Sequence, residues 1–255
     1  MATKQTAAIA LVTGAALRLG RAISLDLAAE GWQIGVHYNM SAGPAEELVR
    51  EIESHGGRAV ALRADLSKEA DVGALVPACA ERLGAPTLLI NNAARFESDS
   101  IETLDWNGWQ AELDVNLRAP VFLAQSFAKA LPEAESGLIV NMIDQKVWRL
   151  TPEFFSYTIA KSGLWTATRT LAQALAPRIR VNALGPGPVL PSRWQSAADF
   201  ERECRETPLG RGATAAEICA AIRFLIKAPS VTGQMIALDG GQHLAWDGKP
   251  GIGGP

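Results

Sequence analysis

Short apolar runs and longer segments with helical periodicity alternate along the chain. The apolar runs have the length of buried strands and fall at residues 7–13, 33–38, 58–63, 87–91, 137–142, 178–184 and 234–238. Helix-period segments lie between them, near residues 19–30, 43–55, 68–83, 108–131, 153–176 and 214–227. Strict β–α alternation predicts an α/β fold of one domain, a doubly wound seven-stranded parallel sheet with helices on both faces.

Two segments do not follow this alternation. Residues 185–212 have prolines at both ends and an amphipathic middle, and a long insertion at this point is typical of a substrate lid. Residues 246–255 form a Gly/Pro-rich tail. We therefore predict one domain over residues 1–245, with a lid at about 185–212 and a tail after it.

The first apolar run leads into a glycine-containing turn. It breaks at Thr13 and Gly14, and a helix resumes from about Leu19, next to Gly20. A buried strand, a glycine turn and a helix N-terminus together hold a dinucleotide pyrophosphate, as in Rossmann-type folds. Only two glycines of the usual fingerprint are present, so this motif by itself is a moderate signal.

The run NMIDQKVWRLTPEFFSYTIAK holds the main candidate catalytic residues, Asp144, Tyr157 and Lys161. Tyrosine and lysine four residues apart lie on one face of a helix, and a nearby ammonium is expected to lower the pKa of a phenol. The apolar strand before them ends at Asp144, which would bring the carboxylate to the same place. The alternatives are an exposed helix pair and, for Asp144, a cap on a helix that starts near Pro152.

Composition excludes several classes of protein. The chain has 255 residues, a net charge of −3 and no basic block, so nucleic acid is not an expected partner. Neither a membrane-spanning run nor a secretory signal is visible, and we predict a cytoplasmic protein without membrane contact. The cysteines and histidines are few and scattered, which favours no metal site: Cys79, Cys204, Cys219, His37, His55 and His243.

The combined motifs resemble the short-chain dehydrogenase/reductase family. Besides the glycine turn and the Tyr157/Lys161 pair, the chain has Asn91-Asn92-Ala93 after a strand and Asn116 in the run DVNLRAP, in the family's order from about residue 6 to about 245. The resemblance implies that Tyr157 donates a proton and that Lys161 binds the nicotinamide ribose. It also implies that Asn116 pins a helix bend and a water, and that the protein is a homotetramer.

Three departures from the common family pattern resemble the pteridine reductase branch. Arg18 stands where the turn usually has glycine, Asp144 stands in place of a serine, and Phe96 follows the Asn-Asn-Ala turn. In that branch the phenylalanine stacks on a flat pterin ring. The resemblance therefore implies substrate contacts from Arg18, Phe96, Asp144 and Tyr157, and position alone adds Leu190 and Trp194 of the lid segment.

The end of the second predicted strand favours NADP(H) as the cofactor. The run VHYNMSAG has no acid that could bind the adenosine ribose hydroxyls, which leaves room for a phosphate. Met40 replaces a basic residue of the branch and weakens this preference. The complete set of expected cofactor contacts is Gly14, Arg18, Leu19, Gly20, Tyr38, Asn39, Ser41, Asp65, Leu66, Asn92, Ala93, Ala94, Tyr157, Lys161, Pro186 and Gly187.

These observations lead to one main functional hypothesis and two alternatives. The main hypothesis is an NADPH-dependent reductase that transfers hydride to a ring C=N bond of a pterin or related heterocycle, with Tyr157 and Asp144 handling the proton. The first alternative is an ordinary family member that acts on a ketone or alcohol of the oxoacyl, sugar or steroid type. The second is a cofactor-sensing binding protein without turnover, against which the intact Tyr157/Lys161 pair argues.

Overall fold

The computed structural model describes residues 8–244, so the predicted tail at 246–255 lies outside the described residues. Seven strands form one sheet in the order β3-β2-β1-β4-β5-β6-β7, and every neighbouring pair is parallel. The strands are β1 Ile9–Val12, β2 Gln33–Tyr38, β3 Ala59–Arg63, β4 Leu88–Asn91, β5 Gly137–Met142, β6 Ile179–Pro186 and β7 Met235–Leu238. The predicted doubly wound seven-stranded sheet is thus confirmed.

The helices follow the predicted segments closely. They are α1 Arg18–Ala29, α2 Ala42–Ser54, α3 Glu69–Leu83, α4 Trp106–Leu113, α5 Ala119–Ala130, α6 Phe155–Leu175, α7 Ala197–Arg205 and α8 Ala215–Lys227. The segment predicted as one helix at 108–131 is divided, because a π-helical turn, Asp114–Arg118, separates α4 from α5. Among residues 8–244, no helix has both the length and the apolarity needed to cross a bilayer.

Both faces of the sheet are covered, since side chains of β1 alternate between two apolar layers. Ala10 and Val12 pack with α1, α2 and α8, while Ile9 and Leu11 pack with α3 and α5. Phe127 of α5 is fully buried in the second layer. Burial on both faces explains why the strands appear in the sequence as continuous apolar runs rather than as alternating ones.

The strand order of the sheet reverses between β1 and β4, which pair with each other. On its other side β1 pairs with β2, and β4 pairs with β5. Crossovers leave this point in two directions, and ligands of open α/β sheets bind in the crevice beyond the strand ends there. Thr13 and Gly14 follow β1 at this edge, and Asn92 and Ala93 follow β4. The fold therefore places the glycine turn and the Asn-Asn-Ala turn side by side.

Residues 185–212, predicted as a lid, begin at the end of β6 and contain α7. Ser196 and Asp199 form a reciprocal capping box at the start of this helix: the Ser196 hydroxyl accepts from the Asp199 N–H at 3.2 Å, and the Asp199 carboxylate accepts from the Ser196 N–H at 3.3 Å. The helix has no fully buried residue. The segment is thus an ordered element on the surface, which packs over the carboxyl edge of the sheet.

Candidate active site

Helix α6 and the end of β5 bring Asp144, Tyr157 and Lys161 together, as predicted. The Tyr157 hydroxyl donates to Oδ2 of Asp144 at 3.0 Å. Lys161 lies one turn further along α6, and its Nζ donates to the Met142 carbonyl of β5 at 2.7 Å. Tyr157 and Lys161 are 6% and 2% exposed. A buried phenol, a buried ammonium and a partly buried carboxyl therefore lie together at the carboxyl edge of the sheet.

The pKa values of these groups are set mainly by burial. Burial raises the pKa of Asp144, and burial together with the Asp144 charge raises the pKa of Tyr157 well above its usual value. The pKa of Lys161 is lowered to about 8, again by burial. The prediction that Lys161 lowers the pKa of Tyr157 is wrong for this arrangement, because burial of the phenol and the charge of the Asp144 carboxyl both raise this pKa.

Asp144 also caps a helical turn, but not the helix near Pro152 that the alternative interpretation predicted. Its Oδ1 accepts from the Lys146 N–H at 2.8 Å and so caps the short 3₁₀ turn Gln145–Val147. The helix that follows begins at Phe155, and its N-terminal amides are bound by Asp99 of another segment. The cap therefore belongs to a different turn from the one predicted, and it holds one carboxyl oxygen while the other accepts from Tyr157.

The glycine turn packs directly against the Asn-Asn-Ala turn. Gly14 has φ of +60°, and a Cβ at this position would lie 2.9 Å from the Cα of Ala93. A Cβ at Gly20 would lie 2.1 Å from the Gly14 carbonyl oxygen. The Thr13 hydroxyl accepts from the N–H groups of Asn92 and Ala93 at 2.9 and 3.0 Å. The two retained glycines are thus the positions where the backbones of these turns approach too closely for a side chain.

The start of α1 fits the pyrophosphate of a dinucleotide. No side chain caps this helix, so its first N–H groups and the positive end of its dipole remain available to an anion. Arg18, Leu19 and Gly20 of this first turn line a cleft of about 770 Å³. The Arg18 guanidinium also donates to the Leu190 carbonyl at 3.3 Å. Arg18 therefore connects the first turn of α1 with the segment at 185–212.

The predicted site residues divide between this cleft and a second, adjoining cavity of about 480 Å³. The cleft also contains Gly14, Asn39, Asp65, Leu66, Asn92, Ala93, Ala94 and Phe96. The second cavity contains Asp144, Tyr157, Gly187, Leu190 and Trp194, and Phe96 lines both. Five predicted residues line neither space: Tyr38, Ser41, Asn116, Lys161 and Pro186. Phe96 and Ser192 line both spaces, so the cleft and the cavity adjoin at these two residues.

The second cavity has a flat aromatic wall and polar ends. The rings of Phe96 and Phe154 are stacked, with centroids 4.2 Å apart, and Phe96 meets the Tyr157 ring edge-on at 4.8 Å. One face of Phe96 is therefore covered by a neighbour that the sequence did not single out. Lys146 and Glu203 also line the cavity, and Glu203 accepts hydrogen bonds from two glutamines.

His37 is a site residue that sequence reasoning missed. Its Nδ1 accepts from the Gly14 N–H at 2.9 Å, and its Nε2 lies 3.1 Å from the Ala64 carbonyl oxygen. Because Nδ1 accepts, the ring is neutral with its proton on Nε2. Burial lowers the pKa of His37 to about 4. The sequence does not indicate this role, because His37 appears there as one residue of an apolar strand, and its partners Gly14 and Ala64 lie on other segments.

Asn116 lies in the π-helical turn and is fully buried. Its side chain binds both backbone polar groups of Arg95: Oδ1 accepts from the Arg95 N–H at 3.1 Å, and Nδ2 donates to the Arg95 carbonyl at 2.9 Å. The same Nδ2 donates to Oε2 of Glu112 at 2.5 Å. Burial raises the pKa of Glu112 to about 7. Glu112 was not predicted, because a single glutamate in a helical segment gives no signal of burial.

The chain is similar to known oxidoreductases over nearly its whole length. The family model described as "Enoyl-(Acyl carrier protein) reductase" matches residues 14–243. A 3-oxoacyl-[acyl-carrier-protein] reductase of Synechocystis sp. is 32% identical over 246 residues, which cover 95% of this chain and 99% of the relative. An uncharacterized oxidoreductase of Methylorubrum extorquens is 34% identical over 91% of this chain and 96% of its own length.

Two solved structures are more similar in sequence. FolM Alternative dihydrofolate reductase 1 from Brucella suis, in complex with NADP, is 50% identical with a TM-score of 0.92. The protein of the same name from Brucella canis, also complexed with NADP, is 49% identical with a TM-score of 0.90. In both cases 94% of this chain and 96% of the solved chain are covered. The chain belongs to the short-chain dehydrogenase/reductase family.

Proposed function

We propose that the chain is an NADPH-dependent reductase of a pterin or a related flat nitrogen heterocycle, such as a dihydropterin or dihydrofolate. The observation that carries this proposal is the hydrogen bond from the buried Tyr157 to the partly buried Asp144, in a cavity walled by Phe96. Two structures about half identical to this chain are named as dihydrofolate reductases and hold NADP, which supports both the substrate class and the cofactor.

The Asp144–Tyr157 pair suits protonation of a ring nitrogen. The Tyr157 hydroxyl donates to Asp144, and burial favours the protonated form of both groups, so the pair holds a proton that a basic ring nitrogen can take. The bound cofactor supplies the hydride for the adjacent ring carbon. Lys161, held by the Met142 carbonyl, places a positive charge below the pair and is available to the cofactor ribose.

Ten of the sixteen predicted cofactor-binding residues line the larger cleft. The first turn of α1 would bind the pyrophosphate, and Arg18 adds a positive charge beside it. Asn39 and Asp65, which follow β2 and β3, also line the cleft and would contact the adenosine part. No acid stands at the end of β2, which favours the phosphate of NADP(H). Tyr38, Ser41 and Pro186 line neither the cleft nor the adjoining cavity, so their predicted cofactor contacts have less support than the others.

Reduction of a ketone by an ordinary family member is the second candidate. The relatives named as 3-oxoacyl reductases favour it, because they are 30–32% identical over nearly the whole chain. Against it, the position of the usual serine holds Asp144, whose carboxyl is a poor partner for a carbonyl oxygen that gains negative charge during reduction. The pterin reductase is therefore the better-supported function.

NADPH oxidation, followed at its near-ultraviolet absorbance, tests the proposal directly. Dihydrobiopterin, dihydromonapterin, dihydrofolate and a panel of ketones are the substrates. We expect pterin-dependent turnover that disappears in Tyr157→Phe and falls by well over tenfold in Asp144→Ser. Ketone turnover without pterin turnover would overturn the proposal and support the second candidate. Tight NADPH binding without any turnover would instead indicate a binding protein.

We also propose a cytoplasmic homotetramer. Exposed apolar side chains on three helices support an oligomer, namely Phe122 on α5, Ile159 on α6 and Phe224 on α8, which are 50%, 38% and 53% exposed. The three cysteines are all free, which suits a reducing compartment. Light scattering coupled to size-exclusion chromatography measures the mass, and a monomer at micromolar concentration would contradict the tetramer.

A further inference from the structure

Phe96 stands on a loop whose peptide groups are bound from two sides. On the side of the protein interior, Asn116 binds both polar groups of the Arg95 peptide, and Oε1 of Glu112 accepts from the Glu97 N–H at 3.1 Å. On the side of the lid segment, the Trp194 indole N–H donates to the Phe96 carbonyl at 3.2 Å. The residues immediately before and after the aromatic ring are thus both bound by the α4–π segment.

Glu112 uses its two oxygens for two different partners. One accepts from Asn116, and the other accepts from Glu97 and lies 3.6 Å from Nε of Arg95. The residue is only 2% exposed, and within the described residues it lines neither the cofactor cleft nor the substrate cavity. It therefore contacts no expected ligand, and any influence on the substrate must pass through the loop that it binds.

The contacts on the lid side are of a different kind. Trp194 is 51% exposed, and the ion pair between Arg193 and Glu97 lies at the surface, with 62% and 31% of the side chains exposed. Water competes with exposed polar contacts, whereas a hydrogen bond to a buried carboxyl group such as that of Glu112 is costly to break. The Glu112 contact is therefore the stronger constraint on the backbone that follows Phe96.

We propose that Glu112 is a positioning residue for the substrate: it fixes the Glu97 peptide, and with Asn116 it presets the ring of Phe96 for a flat heterocycle. The inference rests on the proposed function, because it assigns to Phe96 the role of stacking platform. The ring geometry agrees with a preset platform, since Phe154 stacks on one face of Phe96 and the Tyr157 ring lies nearly perpendicular to it, so that two neighbours fix the orientation of the ring. Glu112 thereby affects the affinity for the substrate and leaves the proton-handling groups in place.

Glu112→Ala and Glu112→Gln test this role, with Glu102→Gln as the matched control, since Glu102 is an exposed glutamate on the same connection between β4 and α4. We expect Glu112→Ala to raise the KM for a dihydropterin about three- to tenfold, the effect of one hydrogen bond, with kcat changed less than twofold. The Kd for NADPH should stay constant. Glu112→Gln should have a smaller effect, because its amide oxygen can still accept from Glu97.

A double-mutant cycle with Phe96→Ala separates positioning from a general structural role. If Glu112 acts through Phe96, Glu112→Ala should change the KM little in the Phe96→Ala background. Full additivity of the two substitutions, or a fall in kcat with unchanged KM, would overturn the proposal.

Amide hydrogen exchange gives a readout that does not depend on activity. In NADPH-loaded protein, the Glu97 amide should exchange at least tenfold faster in Glu112→Ala than in the wild type, and Glu102→Gln should behave as the wild type. Unchanged exchange at Glu97 would refute the clamp even if pterins are reduced. If the wild type turns over no pterin, the proposed function has failed, and the exchange result alone decides whether Glu112 holds the loop.

Discussion

Arg18 combines a functional side chain with an unfavourable backbone conformation. Its φ of +52° lies in the left-handed region, where glycine is the usual residue of the family's turn and a side chain costs about 1 kcal/mol. The guanidinium meanwhile lies in the cofactor cleft and binds the Leu190 carbonyl. A strained residue at a ligand site is typical of a position selected for binding rather than for stability.

We therefore expect Arg18→Gly to have opposite effects on stability and binding. The free energy of unfolding should stay equal or rise by about 1 kcal/mol, because the left-handed strain is removed. The Kd for NADPH should rise at least tenfold, because the charge beside the pyrophosphate is lost. Urea unfolding and fluorescence titration measure the two quantities. Arg18→Ala is the control, since it removes the charge and keeps the strain; equal stability of the two variants would refute the strain argument.

The sequence identified residues whose partners are close in the chain and missed those whose partners are distant. Tyr157 and Lys161 were found from one helical turn, and Asp144 from the end of the preceding strand. His37 and Glu112 were missed, because their partners Gly14 and Glu97 lie on other segments. The predicted lowering of the Tyr157 pKa was wrong for a related reason. The sequence shows that the Lys161 ammonium is near, but it does not show that the phenol is buried and hydrogen-bonded to Asp144, which raises the pKa.

At the scale of elements, the start of α6 depends on a residue from a distant loop. The N-cap position is Phe154, which has φ of +54° and no side chain that could cap the helix. Asp99 replaces the missing cap: its carboxylate accepts from the Ser156 N–H at 3.2 Å and also from the Ser156 hydroxyl. Since Tyr157 directly follows Ser156, the cap holds the first turn of the helix that carries the proposed proton donor.

Asp99→Ala should destabilise the protein by about 1–2 kcal/mol, the usual effect of losing a cap. We also expect lower kcat for any substrate, because the first turn of α6 positions Tyr157. Chemical denaturation and steady-state kinetics measure the two effects. Asp105 caps α4 and serves as the comparison, since Asp105→Ala should lower stability similarly and leave kcat almost unchanged. A kcat that responds equally to both variants would contradict the link between Asp99 and Tyr157.

Element boundaries could be predicted from the sequence wherever local signals decide them. All seven strands were found, because each is an apolar run bounded by turn residues. The start of α6 was placed two residues early, near 153, since the residue that caps it comes from another part of the chain. The π-helical turn at Asp114–Arg118 also escaped prediction, because the periodicity of the segment continues through it.

At the scale of the whole molecule, two buried groups give stability opposite dependences on pH. The pKa of His37 is lowered from 6.5 to about 4, so its contribution to stability is present above about 6.5 and is lost as the pH falls toward 4. The pKa of Glu112 is raised from 4.5 to about 7, so the folded protein loses stability as the pH rises from 4.5 to 7. Each group changes the free energy of unfolding by at most about 1.4 kcal/mol per pH unit.

Because the two windows overlap, we expect a shallow stability profile for the wild type between about pH 4.5 and 6.5, and steeper profiles when either group is removed. His37→Asn keeps an acceptor for the Gly14 N–H but cannot titrate, so its unfolding free energy relative to the wild type should rise as the pH falls through this window. Glu112→Gln should show the reverse, gaining stability relative to the wild type as the pH rises.

Urea unfolding at half-unit steps of pH measures both differences. Asp144, whose pKa is also raised, is common to all three proteins and cancels in the comparison. Parallel profiles would mean that neither group titrates in the folded state as its burial requires, and the neutral tautomer assigned to His37 beneath the glycine turn would then be wrong.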